Sequence, residues 1–424
     1  MNPSLTPNTA AGRRLVEALE ARIPEFFERA RHNDQASCFP FQNFEELAGD
    51  GSLRACIPEP LGGGGVESVV DLVSAVNRVG RGDGSTALVY NMHLAQVWLL
   101  AHYWRETVAT GNHAAAAGIE RYLEHLAREN FVISSTVAEP GTDILHPYTR
   151  ATPCEHGFKV NGRKAFGTGL PIAKAMQVTC LAESEEHGTQ FAIATLDRHA
   201  EGVQVLDDWD ALGMRASGSH NVVYRDVFVA TPALALLGPW GRWCAPYLFG
   251  NVVITLGLVA GFLGIAESAR TVIEAQLQGA RKNAGRRPAD RPAVQHTVAR
   301  MEIDLAAARA MVERTARTTD ELITSYRGRN MPDAVLHTLM ADFQCTKTFV
   351  NERAVGVVDL AMTASGGAGY ATAHPLSRLY RDVRAGSFMQ PYSPNEAYEY
   401  IGRVSLGLEP NLADYVKHPA LHEG

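Results

Sequence analysis

Three charges in four residues, Arg381, Asp382 and Arg384, are followed by an uncharged run from Ala385 to Asn395 that Glu396 closes. A polar loop directly behind a dense charge cluster is a place where chemistry could sit, and Gly386, Pro391 and Pro394 shape the run into a loop between helices. Four further stretches combine small, hydroxyl and aromatic residues: "AEPGTD" from Ala138, "KAFGTG" from Lys164, "LGMRASGSH" from Leu212 and "SGGAGY" from Ser365. Glycine lets a ligand approach the backbone, an aromatic ring offers it a face, and the free N–H groups of a turn can line an anion. Each stretch is equally an ordinary turn. Other chemistries lack their residues. Gly62 to Gly65 have no Lys-Ser/Thr after them, so a turn is expected there and not a phosphate loop. The histidines show no HExxH spacing, the six cysteines form no CxxC pair, and there is no GxSxG elbow.

The elements that must position these residues fall into three textures. Residues 1–130 have helical spacing, as in Leu15, Leu19, Ile23 and Phe26. Residues 131–235 switch to period two, in "FVISSTV", "GFKVNGRKAF" and "NVVYRDVFV", with Asn161-Gly162 reading as a two-residue hairpin turn. Residues 236–424 return to helix. Helix, antiparallel β, helix is an α+β multidomain plan and not a βαβ one. At 424 residues two or three domains are expected. A net charge of −7 gives no sign of a nucleic-acid partner. Pro246 to Ala266 has no charge and approaches the length of a membrane span. Asn251, four glycines and the amphipathic continuation make it instead a helix buried in a core or subunit interface. Scattered cysteines and a first stretch without a signal layout fit a reducing cytoplasm.

Taken in order and spacing, these stretches resemble the acyl-CoA dehydrogenase superfamily of flavoproteins over nearly the whole chain. "PEPLGGGGV" is similar to its Pro-Glu-x-x-Gly-Gly segment, "AEPGTD" to its Thr-Glu-Pro flavin segment and "NGRKAFGTG" to its Asn-Gly-x-Lys-x-Trp-Ile-Thr hairpin. "LGMRASGS", "AVQH", "GGAGY" and "PLSRLYRD" continue the series. The resemblance implies an N-terminal helical domain, a middle antiparallel β-barrel and a C-terminal four-helix bundle, assembled as a homodimer or homotetramer with FAD at the interface. It implies that Phe166 stands for the tryptophan against the flavin ring and Thr168 for the threonine near its reactive nitrogen. Ala138 takes the place of a flavin-contacting threonine. Arg281, Gln295, Gly366 and Gly367 would meet the adenine end or a neighbouring subunit's FAD, and Tyr392 the cofactor. Thr142, Met389 and Gln390 would face the substrate. There are departures: "AEPGTD" is two residues short, and Ala284, Pro292 and Thr363 replace a phenylalanine and two glutamines.

The largest departure concerns the base. The family removes an α proton with a glutamate about nine residues after Arg-Asp, and here that position is Gln390, an amide that cannot take a proton. Some members carry the base on the helix that opens the bundle, and that stretch is the uncharged one. Glu396 is the nearest carboxylate, although "SPNEAYEY" also reads as a capped helix start. The first reading is α,β-dehydrogenation of an acyl thioester, on CoA or a carrier protein, with a displaced base and an external electron acceptor. The alternative is a monooxygenase, transferring oxygen to nitrogen, sulfur or carbon through a flavin hydroperoxide, supplied by a flavin reductase. That chemistry needs no carboxylate.

Overall fold

The structure, a computed structural model, describes residues 4–184, 186–279 and 287–411. Helix α1 (Ala10–Ala36) begins where the Thr9 side chain accepts from the Gly12 N–H, and it turns Leu15, Leu19 and Phe26 inward. Helices α2 (Phe41–Gly49), α3 (Val69–Gly82), α4 (Gly84–Ala109) and α5 (His113–Glu129) follow, the last three capped by Ser68, Asp83 and Asn112. The Gly62–Gly65 stretch is a turn: a side chain on Gly63 would meet Ile57 O at 2.1 Å.

Eight strands come next: β1 (Val132–Thr136), β2 (Arg150–Cys154), β3 (Gly157–Gly167), β4 (Ala173–Ser184), β5 (Gly188–Asp197), β6 (Val203–Val205), β7 (His220–Ala230) and β8 (Leu234–Pro239). They form one sheet in the order β6-β7-β3-β2-β4-β5-β8, with β1 also on β4. Most pairs are antiparallel, as expected, but β1 and β2 both lie parallel to β4. The reason is that β2 resumes the line of β1. The chain leaves β4 opposite Val178, makes the excursion that carries Ala138–Asp143, and returns opposite Leu181. A second departure concerns Asn161-Gly162, which is not a turn but lies within β3. The Asn161 side chain bonds across to Asp226 on β7, Nδ2 to Oδ1 at 3.1 Å and Oδ1 from the Asp226 N–H at 2.8 Å. The hairpin turns instead at Glu155-His156, where His156 has φ 64°.

The C-terminal bundle comprises α6 (Ala245–Gly279), α7 (Pro292–Tyr326), α8 (Asp333–Ser365), α9 (Pro375–Val383) and α10 (Pro394–Ser405). α6 holds the uncharged stretch, and the protein buries it: Val252, Leu256, Leu263 and Ala266 are each 0% exposed. Two glycines let α3 approach it closely, since a Cβ on Gly80 would meet Gly261 O and one on Gly264 would meet Asn77 O, both at 2.3 Å. Where α6 passes α7, buried Glu267 takes Arg81 at 2.7 Å and Arg309 at 2.5 Å. Burial alone would raise this carboxyl, but the two guanidiniums hold it below its ordinary range.

Candidate active site

One large cavity, about 700 Å³, opens where the helical and strand regions meet. α4 contributes Leu88, Met92 and Gln96, and α6 contributes Asn251 and Thr255. The strand region supplies Ala138, Phe166, Thr168 and Ser219, together with Trp209 on the connection from β6 to β7. The loop after α9 supplies Arg381, Arg384, Phe388, Met389 and Gln390. Among the described lining residues the only charged side chains are those two arginines.

The strand wall is held rigidly. Lys164 is fully buried, and its Nζ reaches Glu139 Oε1 at 2.5 Å, Thr179 Oγ1 at 2.9 Å and Val137 O at 3.2 Å. Burial lowers the ammonium's pKa and Glu139 opposes that shift. Glu139 also accepts from the Tyr148 and Thr149 N–H groups, at 2.7 and 3.0 Å, so it clamps the excursion between β1 and β2. On this frame Phe166 has left-handed φ 55° and is 62% exposed, its ring meeting Trp209 edge-on at 6.0 Å. Beside it Thr168 Oγ1 lies 3.1 Å from Ser219 Oγ. An uncovered ring flanked by hydroxyls fits a flat heteroaromatic cofactor with polar edges.

The helical wall is built differently. Buried Asp382 accepts from the Met214 N–H at 2.7 Å and lies 3.5 Å from Arg378. Burial pushes its carboxyl up to about 6 against the pull of Arg378. It holds the backbone of the cavity wall and lies behind it. Arg381 is bound by Asp34, with Nη1 at 2.9 Å and Nη2 at 2.5 Å. The loop carrying Gln390 rests on Lys347 of α8, whose Nζ donates to Met389 O and Tyr392 O. Burial pulls the Lys347 ammonium down to about 7, with Glu396 opposing. Sequence reasoning missed Lys347 and the Glu139–Lys164 pair. A lone lysine on the apolar face of a long helix was the available signal for the first.

The residues singled out from the sequence divide into groups. Ala138, Phe166, Thr168, Met389 and Gln390 share the cavity. Thr142 does not line it, because its hydroxyl donates to His146 O at 2.7 Å within its own turn. Tyr392 is buried behind the loop, and its hydroxyl accepts from Trp243 Nε1 at 2.7 Å. Glu396 also lies off the cavity: it completes a capping box, accepting from the Ser393 N–H at 2.7 Å, which corrects its candidacy as a displaced base. Gln295 on α7 and the Gly366-Gly367 turn are exposed and away from the cavity. Arg281 and Ala284 lie outside the described residues.

Three family descriptions match in chain order: "Acyl-CoA dehydrogenase, N-terminal domain" over residues 13–108, the middle domain over 133–227 and the C-terminal domain over 256–391. An amino sugar nitrososynthase of Streptomyces peucetius is 34% identical over 402 residues, 95% of each chain. The L-evernosamine nitrososynthase of a Micromonospora species is 32% identical over 415 residues, 98% of this chain and 95% of its own. Among solved structures, KijD3 in complex with FMN and dTDP-3-amino-2,3,6-trideoxy-4-keto-3-methyl-D-glucose superposes with a TM-score of 0.87 at 30% identity, covering 96% of both chains.

Proposed function

The chain belongs to the acyl-CoA dehydrogenase superfamily and is a flavin-dependent oxidoreductase, and within that class we propose that it N-oxygenates the amine of a nucleotide-linked amino sugar. The observation that carries this reading is a cavity wall whose described residues include no carboxylate, histidine or lysine. Dehydrogenation of a thioester needs a base at the α carbon, and Gln390 provides none. The reading placed first on sequence alone therefore yields to its alternative. Similarity to two nitrososynthases and to an amino-sugar complex supports the same choice.

A base-free cavity suits an amine nucleophile. Nitrogen attacks only through its lone pair, so the amine must be neutral. Moving an ammonium into an apolar cavity lowers its pKa, and a nearby carboxylate would raise it again. Here the wall offers two guanidiniums and neutral amides, Gln96, Asn251 and Gln390, which can accept N–H bonds without stabilising a full positive charge. Leu88, Met92 and Leu258 exclude water around it.

Phe166 and Trp209 would hold the flavin ring, with the Thr168 hydroxyl and the Ala138 backbone at its polar edge. Bound and reduced, the flavin supplies two electrons to O₂, one oxygen atom ending on the substrate nitrogen and the other in water. FMN is the flavin favoured over FAD, because FMN occupies the KijD3 complex and the segments facing an adenine depart from the family pattern. A separate reductase would deliver it reduced. Gln295 and the Gly366-Gly367 turn, both exposed, are where a second copy would meet the site in a dimer or tetramer.

The test is direct. Protein, reduced FMN, O₂ and a dTDP-linked 3-amino sugar are expected to give a product heavier by one oxygen atom, and the N-acetylated sugar none. Oxidised holoprotein mixed with acyl-CoA thioesters without O₂ should keep its visible absorbance. Bleaching by a thioester, with no oxidation of the amine, would overturn the reading.

A further inference from the structure

The two arginines of the cavity wall are not equivalent. Arg381 is neutralised by Asp34 and donates a further bond to Leu212 O at 3.1 Å. Arg384 is exposed and forms no ion pair among the described residues; its Nη1 donates to Ser387 Oγ at 2.9 Å. Its guanidinium carbon stands 4.8 Å from the centroid of the Phe388 ring, and Phe388 is itself 62% exposed. The cavity therefore carries one uncompensated positive charge, on a side chain already oriented by an aromatic face. A guanidinium presents a fixed fork of donors that matches two oxygens of a phosphate ester. An uncompensated cation beside an apolar cavity attracts anionic ligands to it.

We infer that Arg384, stacked on Phe388, receives the diphosphate of the substrate's carrier at the mouth of the cavity. The inference rests on the reading that the substrate is nucleotide-linked. A diphosphate ester is the shared chemistry of a nucleoside diphosphate sugar and of coenzyme A, and the two sources are separable by titration. Arg384 leaves the amine end untouched: it fixes how deep the ligand sits, while the amide-lined interior receives the amine.

The experiment titrates the full chain, loaded with oxidised FMN, with dTDP, thymidine and coenzyme A by calorimetry. dTDP is expected to bind well, thymidine weakly and coenzyme A weakly. R384A should weaken dTDP about 30-fold, the range for loss of charge-assisted bonds to an anion, and leave thymidine unchanged. R384K should recover part of the loss, because a point charge replaces the fork. The dependence of dTDP affinity on salt should be shallower in R384A than in the parent. Equal dTDP affinity in R384A and parent overturns the inference, as does a parallel loss of thymidine or FMN binding, which marks a structural effect. No measurable dTDP binding to the parent overturns it as well. If R384A loses dTDP binding but the parent forms no oxygenated amine, Arg384 stands and the N-oxygenase reading falls. If the parent oxygenates the sugar and R384A does so with unchanged KM, the reverse holds.

Discussion

The two walls of the cavity are held by opposite means. On the strand side a fully buried ion pair, Lys164 with Glu139, ties the excursion between β1 and β2 to the sheet, and Glu139 holds two N–H groups besides. On the helical side a lone buried amine, Lys347, holds the loop carrying Gln390 by two backbone carbonyls. The strand wall is thus fixed by several bonds that share one buried carboxylate. On the helical wall Asn351, of the same helix as Lys347, adds a bond to Gly386 O at 3.0 Å, but the stretch from Met389 to Tyr392 rests on an amine whose pKa burial pulls down to about 7, so this part of the wall is the more sensitive to pH.

Breaking the strand clamp is the harshest test. Lys164→Met should cost about 3–5 kcal/mol, because it leaves a buried carboxylate without its cation. Urea unfolding would read the loss, and flavin retention should fall with it. The double change Lys164→Met with Glu139→Gln should recover a good part. If Lys164→Met unfolds like the parent, the clamp is not what holds this wall.

Lys347→Met should cost about 2–3 kcal/mol by orphaning two carbonyls, and Trp243, bonded to Tyr392 behind the loop, reports the shift by its fluorescence. The pH dependence has a defined sign. With the folded pKa lowered to about 7 from 10.5, the unfolded chain binds the proton and the folded chain does not between those values. The Lys347 contribution to stability therefore grows as pH rises through that window and levels off below it. In Lys347→Met that slope should vanish. A slope equal to the parent's would move the titration elsewhere.

Gln390→Glu sharpens the comparison on the chemical side. A carboxylate in the cavity should raise the bound amine's pKa by about one unit and cut oxygenation near pH 7 about tenfold, with the rate recovering at higher pH. Acyl-CoA oxidation gained by this variant would show that dehydrogenation lacked only its base. The smallest effect is expected of Glu396→Gln: about 0.5–1 kcal/mol from the weakened capping box, seen in thermal denaturation, with turnover unchanged. Loss of turnover there would restore Glu396 as a chemical residue.

The three-part plan was legible because its signals are local: period two through "NVVYRDVFV" and period 3.6 through α1. Phe166 and Thr168 were singled out through resemblance, and both line the cavity. What escaped was long-range. Nothing adjacent to Glu139 announces Lys164, nor does anything near Lys347 announce Met389. A one-residue bulge partner, Asp226, turned an apparent Asn-Gly hairpin into continuous strand. Thr142 and Tyr392, named through resemblance, stand off the cavity with their hydroxyls bonded to His146 O and to Trp243 Nε1, partners that no local pattern in the sequence announces.

Asn251 and Gln390 face the cavity from a buried helix and from a loop. Each amide differs from a carboxylate only by an NH₂ in place of an oxygen, and in the genetic code Asn to Asp and Gln to Glu are single-nucleotide changes. The neutral character of this wall is therefore a near neighbour, in mutational distance, of an acidic one. Random mutagenesis screened for thioester oxidation samples both positions in its first round, from two unrelated directions of approach to the same bound substrate.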